Sequence, residues 1–217
     1  MVDIEQTVTQ ITTDIPTTKC AAEILRALEH LKSGGVVVLP TDTLYGLAAD
    51  VFSQDALERV FTIKGRSSDL ALPVLVSDWE MVAVVAENKS DLAQRLAEKY
   101  WPGPLTLVLP KLSGVSCLVS AGRDTVAVRS PNHLVPQRLI TRLGRPITGT
   151  SANLSGEPNP QSLVEVRRQL GNNVDYIISC GPAPTGTAST IVDLTNGLPT
   201  LIRDGAIPFM EIIEFCQ

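Results

Sequence analysis

The chain has 217 residues, a net charge of −5 and a pI near 5.1. That length holds one sizeable core, and the acidic balance argues against a protein whose main task is gripping nucleic acid. Apolar residues make up 44%, charged residues 19% and aromatics 4%, which fits a soluble globular domain and excludes a broad aromatic platform for stacked bases. The polar start MVDIEQTVTQ does not read as a signal peptide, and no apolar run approaches the ~18 residues of a membrane span. Cys20, Cys117, Cys180 and Cys216 lie far apart with no CxxC pair. They are expected to be reduced thiols in a cytoplasmic protein, with neither zinc nor a redox pair. Of the two histidines, His30 is expected at the exposed end of a helix and His133 in a turn.

In chain order, residues 1–17 read as a polar N-terminal extension, and Thr18 is placed to cap a helix over 19–33. Ile24, Leu25, Leu28 and Leu31 recur there at helical spacing, and Gly34 stops the helix. Residues 36–39 form an apolar strand. Asp55 and Glu58 have capping-box spacing for a helix over 55–63. LPVLV at 72–76 reads as a strand, Ser90 caps a helix to Tyr100, and WPGP at 101–104 breaks the chain. Strands follow at 105–109, 116–120 and 125–129, then a helix over 135–143 ended by Gly144 and a short strand at 146–148. Ser162 and Glu165 open a helix to Leu170, strands follow at 176–179, 189–194 and 200–203, and Pro208 starts a last short helix. This pattern implies a single-domain α/β fold, an open mixed sheet with flanking helices over about 18–210 and a short tail at 211–217.

The candidate site begins where the first apolar strand ends, in GVVVLPTDTLYGL (35–47). Ligands of open α/β sheets bind at the carboxyl ends of strands, and a carboxylate flanked by two hydroxyls stands at this one. Lys64-Gly65-Arg66 supplies two cations suited to phosphate oxygens. GTSANLSG (149–156) and GTASTIVDL (186–194) are hydroxyl-rich loops at strand ends, and Arg129 and Arg203 each end a strand. Backbone N–H groups and hydroxyls in such loops cradle phosphate, although neither a GxxxxGK[ST] loop nor a GxGxxG after a strand occurs. No serine or cysteine nucleophile set with histidine is evident. The chemistry expected is therefore the positioning of reactive substrates and the neutralisation of charge, as in phosphoryl or nucleotidyl transfer.

GGVVVLPTDTLYGL, KGR, WPGPLTLVL, VAVRSP, SANLSG, STIVDL and IRDGAI, in that order over about residues 20–207, together resemble the YrdC/TsaC family. The resemblance implies a twisted open sheet of the YrdC-like (DHBP synthase-like) type with a concave positive face. It also implies synthesis of threonylcarbamoyl-adenylate from L-threonine, bicarbonate and ATP, with pyrophosphate released and Mg²⁺ carried on the phosphates. The product would serve downstream tRNA-modification proteins. Double-stranded RNA or tRNA binding, or a paralogue acting on another acyl-adenylate, are the alternative readings. By the same resemblance Thr43, Ser77, Arg129, Gly149 and Ser189 would meet threonine. Lys64, Arg66, Thr125, Ser151, Asn153, Asn159 and Arg203 would meet the nucleotide, with Lys64, Arg66, Ser151 and Asn153 closest to the chemistry and no protein-bound metal. Asp42 reads as a loop organiser rather than a base. The sequence departs from the family pattern after KGR: Ser67 stands where proline is usual, and Ser77 is read in place of a histidine beside the threonine substrate. Departures also fall at Thr150, Ala188 and Asn159.

Overall fold

A computed structural model describes residues 18–87 and 90–217; the expectation for residues 1–17 lies outside that range. Helix α1 (Thr18–Lys32) presents Cys20, Ile24, Ala27, Leu28 and Leu31 on one buried stripe, the spacing of a helix with one apolar face. It leads into β1 (Val37–Leu39). Successive side chains of a strand point to opposite faces, and both faces of this one are covered. Val36 and Val38 join one apolar cluster, while Val37 and Leu39 join a second with α1. That double burial is why the segment reads as an unbroken apolar run.

The TDTL segment turns β1 back into β2 (Gly46–Ala48), antiparallel with Leu39 opposite Gly46. Helix α2 (Gln54–Lys64) follows. Its cap is Ser53, whose Oγ accepts from the Ala56 N–H, and not the expected Asp55 box. Gly65 closes it in the left-handed conformation at φ 58°, which a side chain at that position would oppose. Next come β3 (Val74–Leu75), α3 (Trp79–Val82), α4 (Asp91–Tyr100, capped by Ser90), β4 (Leu105–Pro110), α5 (Cys117–Ser120) and β5 (Thr125–Arg129). The strand expected at 116–120 is the helix α5. Ser116 caps it through Leu118 N–H, and Ala121 ends it with a positive φ. Local capping thus overrides the β-propensity of CLVS.

Helix α6 (Leu134–Leu143) ends at Gly144. It is followed by β6 (Ile147–Thr148), β7 (Thr150–Ser151), α7 (Leu163–Leu170), β8 (Tyr176–Ile177), β9 (Thr190–Asp193), β10 (Thr200–Arg203) and α8 (Phe209–Cys216). The residues expected as a C-terminal tail are mostly α8, whose Ile212 is fully buried.

The strands form two mixed sheets, ordered β7-β2-β1-β8 and β10-β9-β4-β5-β3-β6. Apolar residues of both join one cluster with α2, α4, α7 and α8. Helices α1 and α6 cover a second cluster against β1, Leu75 and Ile147. Among the described residues no helix is long and apolar enough to cross a membrane.

His133 is buried and caps α6, its Nδ1 accepting from Val135 N–H; burial lowers its pKa. The expectation of four reduced thiols is corrected by a disulfide between Cys20 and Cys180. It ties α1 to the segment leaving β8, and its partners lie 160 residues apart in sequence. Cys117 and Cys216 are free.

The two sheets meet where β6 gives way to β7, and Gly149 is the residue between them. Its N–H donates to Pro73 O, and a Cβ built on it would lie 2.5 Å from Leu75 Cγ. Gly149→Ala is expected to lower stability by about 2 kcal/mol, the usual cost of forcing a methyl into a filled core. Thermal denaturation checks this: in a Leu75→Ala background, where the clashing side chain is gone, adding Gly149→Ala should cost much less.

Candidate active site

One cavity of about 270 Å³ opens at this seam. Its polar wall is Thr41, Thr43, Arg66, Thr106, Arg129, Thr150, Ser151, Asn159, Ser189 and Arg203. Its apolar wall includes Tyr45, Ala71, Pro73, Leu75 and Ile191. Among the described residues no aspartate, glutamate or histidine lines it, and no metal-binding cluster of three His, Cys, Asp or Glu occurs.

Arg129 ends β5 and is 6% exposed. Its Nε donates to Gly103 O at 2.8 Å, its Nη1 to Thr43 Oγ1 at 2.7 Å and its Nη2 to Asp42 Oδ1. Burial pushes its pKa down, Asp42 opposes that shift, and nearby Arg203 adds to it. Asp42 is thus the counter-ion of Arg129, consistent with an organising role. Its backbone carbonyl accepts from Thr185, and that of Thr43 from Gly186, so the segment between β8 and β9 braces the turn.

Ser189 Oγ accepts from Arg203 Nη2 at 3.0 Å and lies 2.9 Å from Thr106 Oγ1. Burial lowers the pKa of Arg203. At the other end, Arg66 Nη2 donates to Leu70 O and Ala71 O, Nη1 reaches Thr150 Oγ1, and the buried Nε has no partner among the described residues. Ser151 Oγ donates to Asn153 Oδ1.

Lys64 and Asn153 stand behind this wall. The Lys64 ammonium, 3% exposed, donates to Ser151 O, Asn153 O and Asn153 Oδ1. Asn153 Nδ2 donates to Glu157 O. The paired cations thus divide their work: Arg66 faces the cavity and Lys64 holds the loop that carries Ser151. Burial first, and Arg66 second, push the Lys64 pKa down to about 8. The amine is charged below that value and neutral above it. Anion affinity is therefore expected to fall as pH rises through about 8, and calorimetric ATP titrations at pH 7 and pH 9 would show it.

Thr43, Arg66, Arg129, Gly149, Ser151, Asn159, Ser189 and Arg203 all line the cavity. Besides Lys64 and Asn153, two further residues do not. Thr125 starts the strand that Arg129 ends, and four residues of extended chain separate them by about 13 Å. Ser77 Oγ donates to Asp78 Oδ2 away from the cavity. The residue of that stretch that lines it is Leu75, because Val74 and Val76 point into the core cluster on the opposite face. The residue-by-residue reading also passed over Thr41, Tyr45, Thr106 and Thr150. Thr106 had a visible signal, a hydroxyl inside the otherwise apolar LTLVL.

The fold and site define an α/β protein with an arginine- and hydroxyl-lined cavity between two sheets. The family model Sua5_yciO_yrdC, described as "Telomere recombination", matches residues 29–205. The threonylcarbamoyl-AMP synthase of Pyrococcus abyssi (strain GE5 / Orsay) is 41% identical over 186 residues, 86% of this chain and 55% of that protein. That of Vibrio vulnificus (strain YJ016) is 36% identical over 159 residues, 72% of this chain and 86% of that protein. The crystal structure of P. abyssi Sua5 complexed with L-threonine superposes with a TM-score of 0.85 at 40% identity, covering 88% of this chain and 56% of that one. The chain belongs to the Sua5/YciO/YrdC family. It spans about half the length of the P. abyssi relative.

Proposed function

We propose that the chain is a threonylcarbamoyl-AMP synthase, joining L-threonine, bicarbonate and ATP to threonylcarbamoyl-AMP with release of pyrophosphate. The product would feed threonylcarbamoyladenosine formation in tRNA. The observation that carries this reading is the shared cavity, which brings Arg129, Thr43 and Ser189 together with Arg66, Ser151 and Arg203. It is supported by the L-threonine in the complex of a relative 40% identical.

The amino-acid carboxylate would lie on Arg129, which keeps two of a guanidinium's five N–H groups after serving Gly103, Thr43 and Asp42. The phosphates would lie toward Arg66 and Arg203, with Asn159 and the acceptor lone pairs of Ser151 facing the nucleoside. In the reaction a carbamate oxygen forms a bond to the α-phosphorus, the bond from that phosphorus to the bridging oxygen breaks, and pyrophosphate leaves with the electron pair. Cations around the transferred group stabilise its developing charge. Mg²⁺ would be carried by the phosphates, a mode that needs no carboxylate cage.

Pyrophosphate release by the purified chain with ATP, Mg²⁺ and bicarbonate tests the proposal: it should depend on L-threonine. Release independent of threonine, or none despite ATP binding, would sink it. Arg66→Ala should weaken ATP about tenfold or more, the scale of a lost charge-assisted hydrogen bond, while threonine affinity without nucleotide stays near wild type. Calorimetry separates the two.

A further inference from the structure

A hydroxyl has one proton and two lone pairs, and this count fixes the polarity of one end of the cavity. Thr41 Oγ1 accepts the N–H of Thr43 and the N–H of Leu44, each at 3.1 Å. Both its lone pairs are thereby used, so it cannot take a proton from Thr43. Its own proton goes to Leu44 O at 2.7 Å or to Thr43 Oγ1 at 3.1 Å. Thr43 Oγ1 also accepts from Arg129 Nη1. Under either assignment Thr43 only accepts within the protein, and its own proton has no acceptor among the described residues. Thr43 is 4% exposed and lines the cavity, so that proton is left for whatever the cavity holds.

The same count applies across the cavity. Ser189 Oγ accepts from Arg203 and shares a single proton with Thr106. The pair therefore keeps one proton spare, and both residues line the cavity. Among the described residues no carboxylate or imidazole lines the wall, so this end supplies donors from Arg129, Arg203 and the two spare hydroxyl protons.

We propose that Thr41 is a positioning residue, whose hydroxyl clamps the turn so that Thr43 donates its proton to an acceptor-only group of the ligand, a carboxylate. This rests on the amino-acid reading of the cavity given above. Thr41 acts on the ligand only through Thr43, and that relation is measurable.

The test is a double-mutant cycle read by calorimetric L-threonine binding. Thr43→Val is expected to raise the Kd about tenfold or more, since the lost bond is to a charged group. Thr41→Val should raise it several-fold, and Thr41→Ser, which keeps the oxygen, should stay within about twofold of wild type, where the donor and both lone pairs survive. Thr41→Val added to Thr43→Val should cost nothing further. Equal losses from Thr41→Val in both backgrounds would mean a general structural role and overturn the inference alone. No L-threonine binding by wild type would overturn the amino-acid reading and this inference with it. Should Thr41→Val fail to fold, amide hydrogen exchange of the ligand-free wild type decides. The Thr43 and Leu44 amides must be protected there, and rapid exchange would show that Thr41 holds neither.

Discussion

Arg129→Lys is expected to abolish useful L-threonine affinity, by roughly 100-fold, while leaving ATP affinity within a few-fold. The loss corresponds to about two charge-assisted hydrogen bonds. A guanidinium serves Gly103 O, Thr43 Oγ1 and Asp42 Oδ1 from three nitrogens at once; an ammonium is a single point of charge and cannot span them. Stability should fall as well. The lysine keeps a charge opposite Asp42 but leaves a buried acceptor such as Gly103 O without its donor, a loss of about 1–3 kcal/mol. For a chain of this size, taking about 2 kcal/mol, that is a fall in Tm of about 4–8 °C. Calorimetry and thermal denaturation check the two halves separately. Threonine affinity that survived the substitution would take the carboxylate role away from Arg129, and an equal loss of ATP would place Arg129 at the wrong end of the cavity.

The second large effect concerns the Cys20–Cys180 disulfide. Closing a loop of 160 residues restricts the unfolded chain, and the chain-entropy relation puts the upper bound near 5 kcal/mol for that length. Reduction, or Cys180→Ser, is expected to lower Tm by about 10 °C, with about 20 °C as the ceiling. Thiol titration of the unreduced, denatured protein should find two of the four cysteines reactive, Cys117 and Cys216. Four reactive thiols and an unchanged Tm on reduction would refute the cross-link.

These two sites mark what the sequence can and cannot disclose. Caps were legible because their chemistry is local: Ser90 accepts from Ala93 N–H, Ser162 from Glu165 N–H, and Gly144 closes α6, all as the residue types imply. The long central strands were legible from apolar runs, as in 105–109 and 125–129. Strands β2 and β7 were missed because two or three residues set no periodicity, and they exist only through pairing with β1 and with each other. The disulfide joins residues too distant for any spacing rule, so the four cysteines read as unrelated.

In the site, the arginines and hydroxyls at strand ends gave the cavity away. Lys64 and Asn153 were recognised but placed one layer too far forward, because a motif carries no information on which member faces outward. Thr125, assigned to the nucleotide by the resemblance, starts the strand that Arg129 ends, about 13 Å along it, and does not line this cavity. Ser77 was read in place of a family histidine; it lies beyond the end of β3 with its hydroxyl on Asp78, and Leu75 of the strand lines the cavity instead.

The single residue between the sheets has a thermodynamic consequence. Thr43 and Ser151 belong to the β1–β2 turn and β7, on one side of Gly149; Arg129 and Arg203 end strands of the other sheet, and Ser189 immediately precedes one. An amino acid held by Thr43 and Arg129 and a nucleotide held by Ser151 and Arg203 would each span the same joint. Were the first ligand to fix the spacing across that joint, it would set the spacing that the second requires. The two affinities are then linked with one shared coupling factor, and the gain that threonine confers on ATP must equal the gain that ATP confers on threonine.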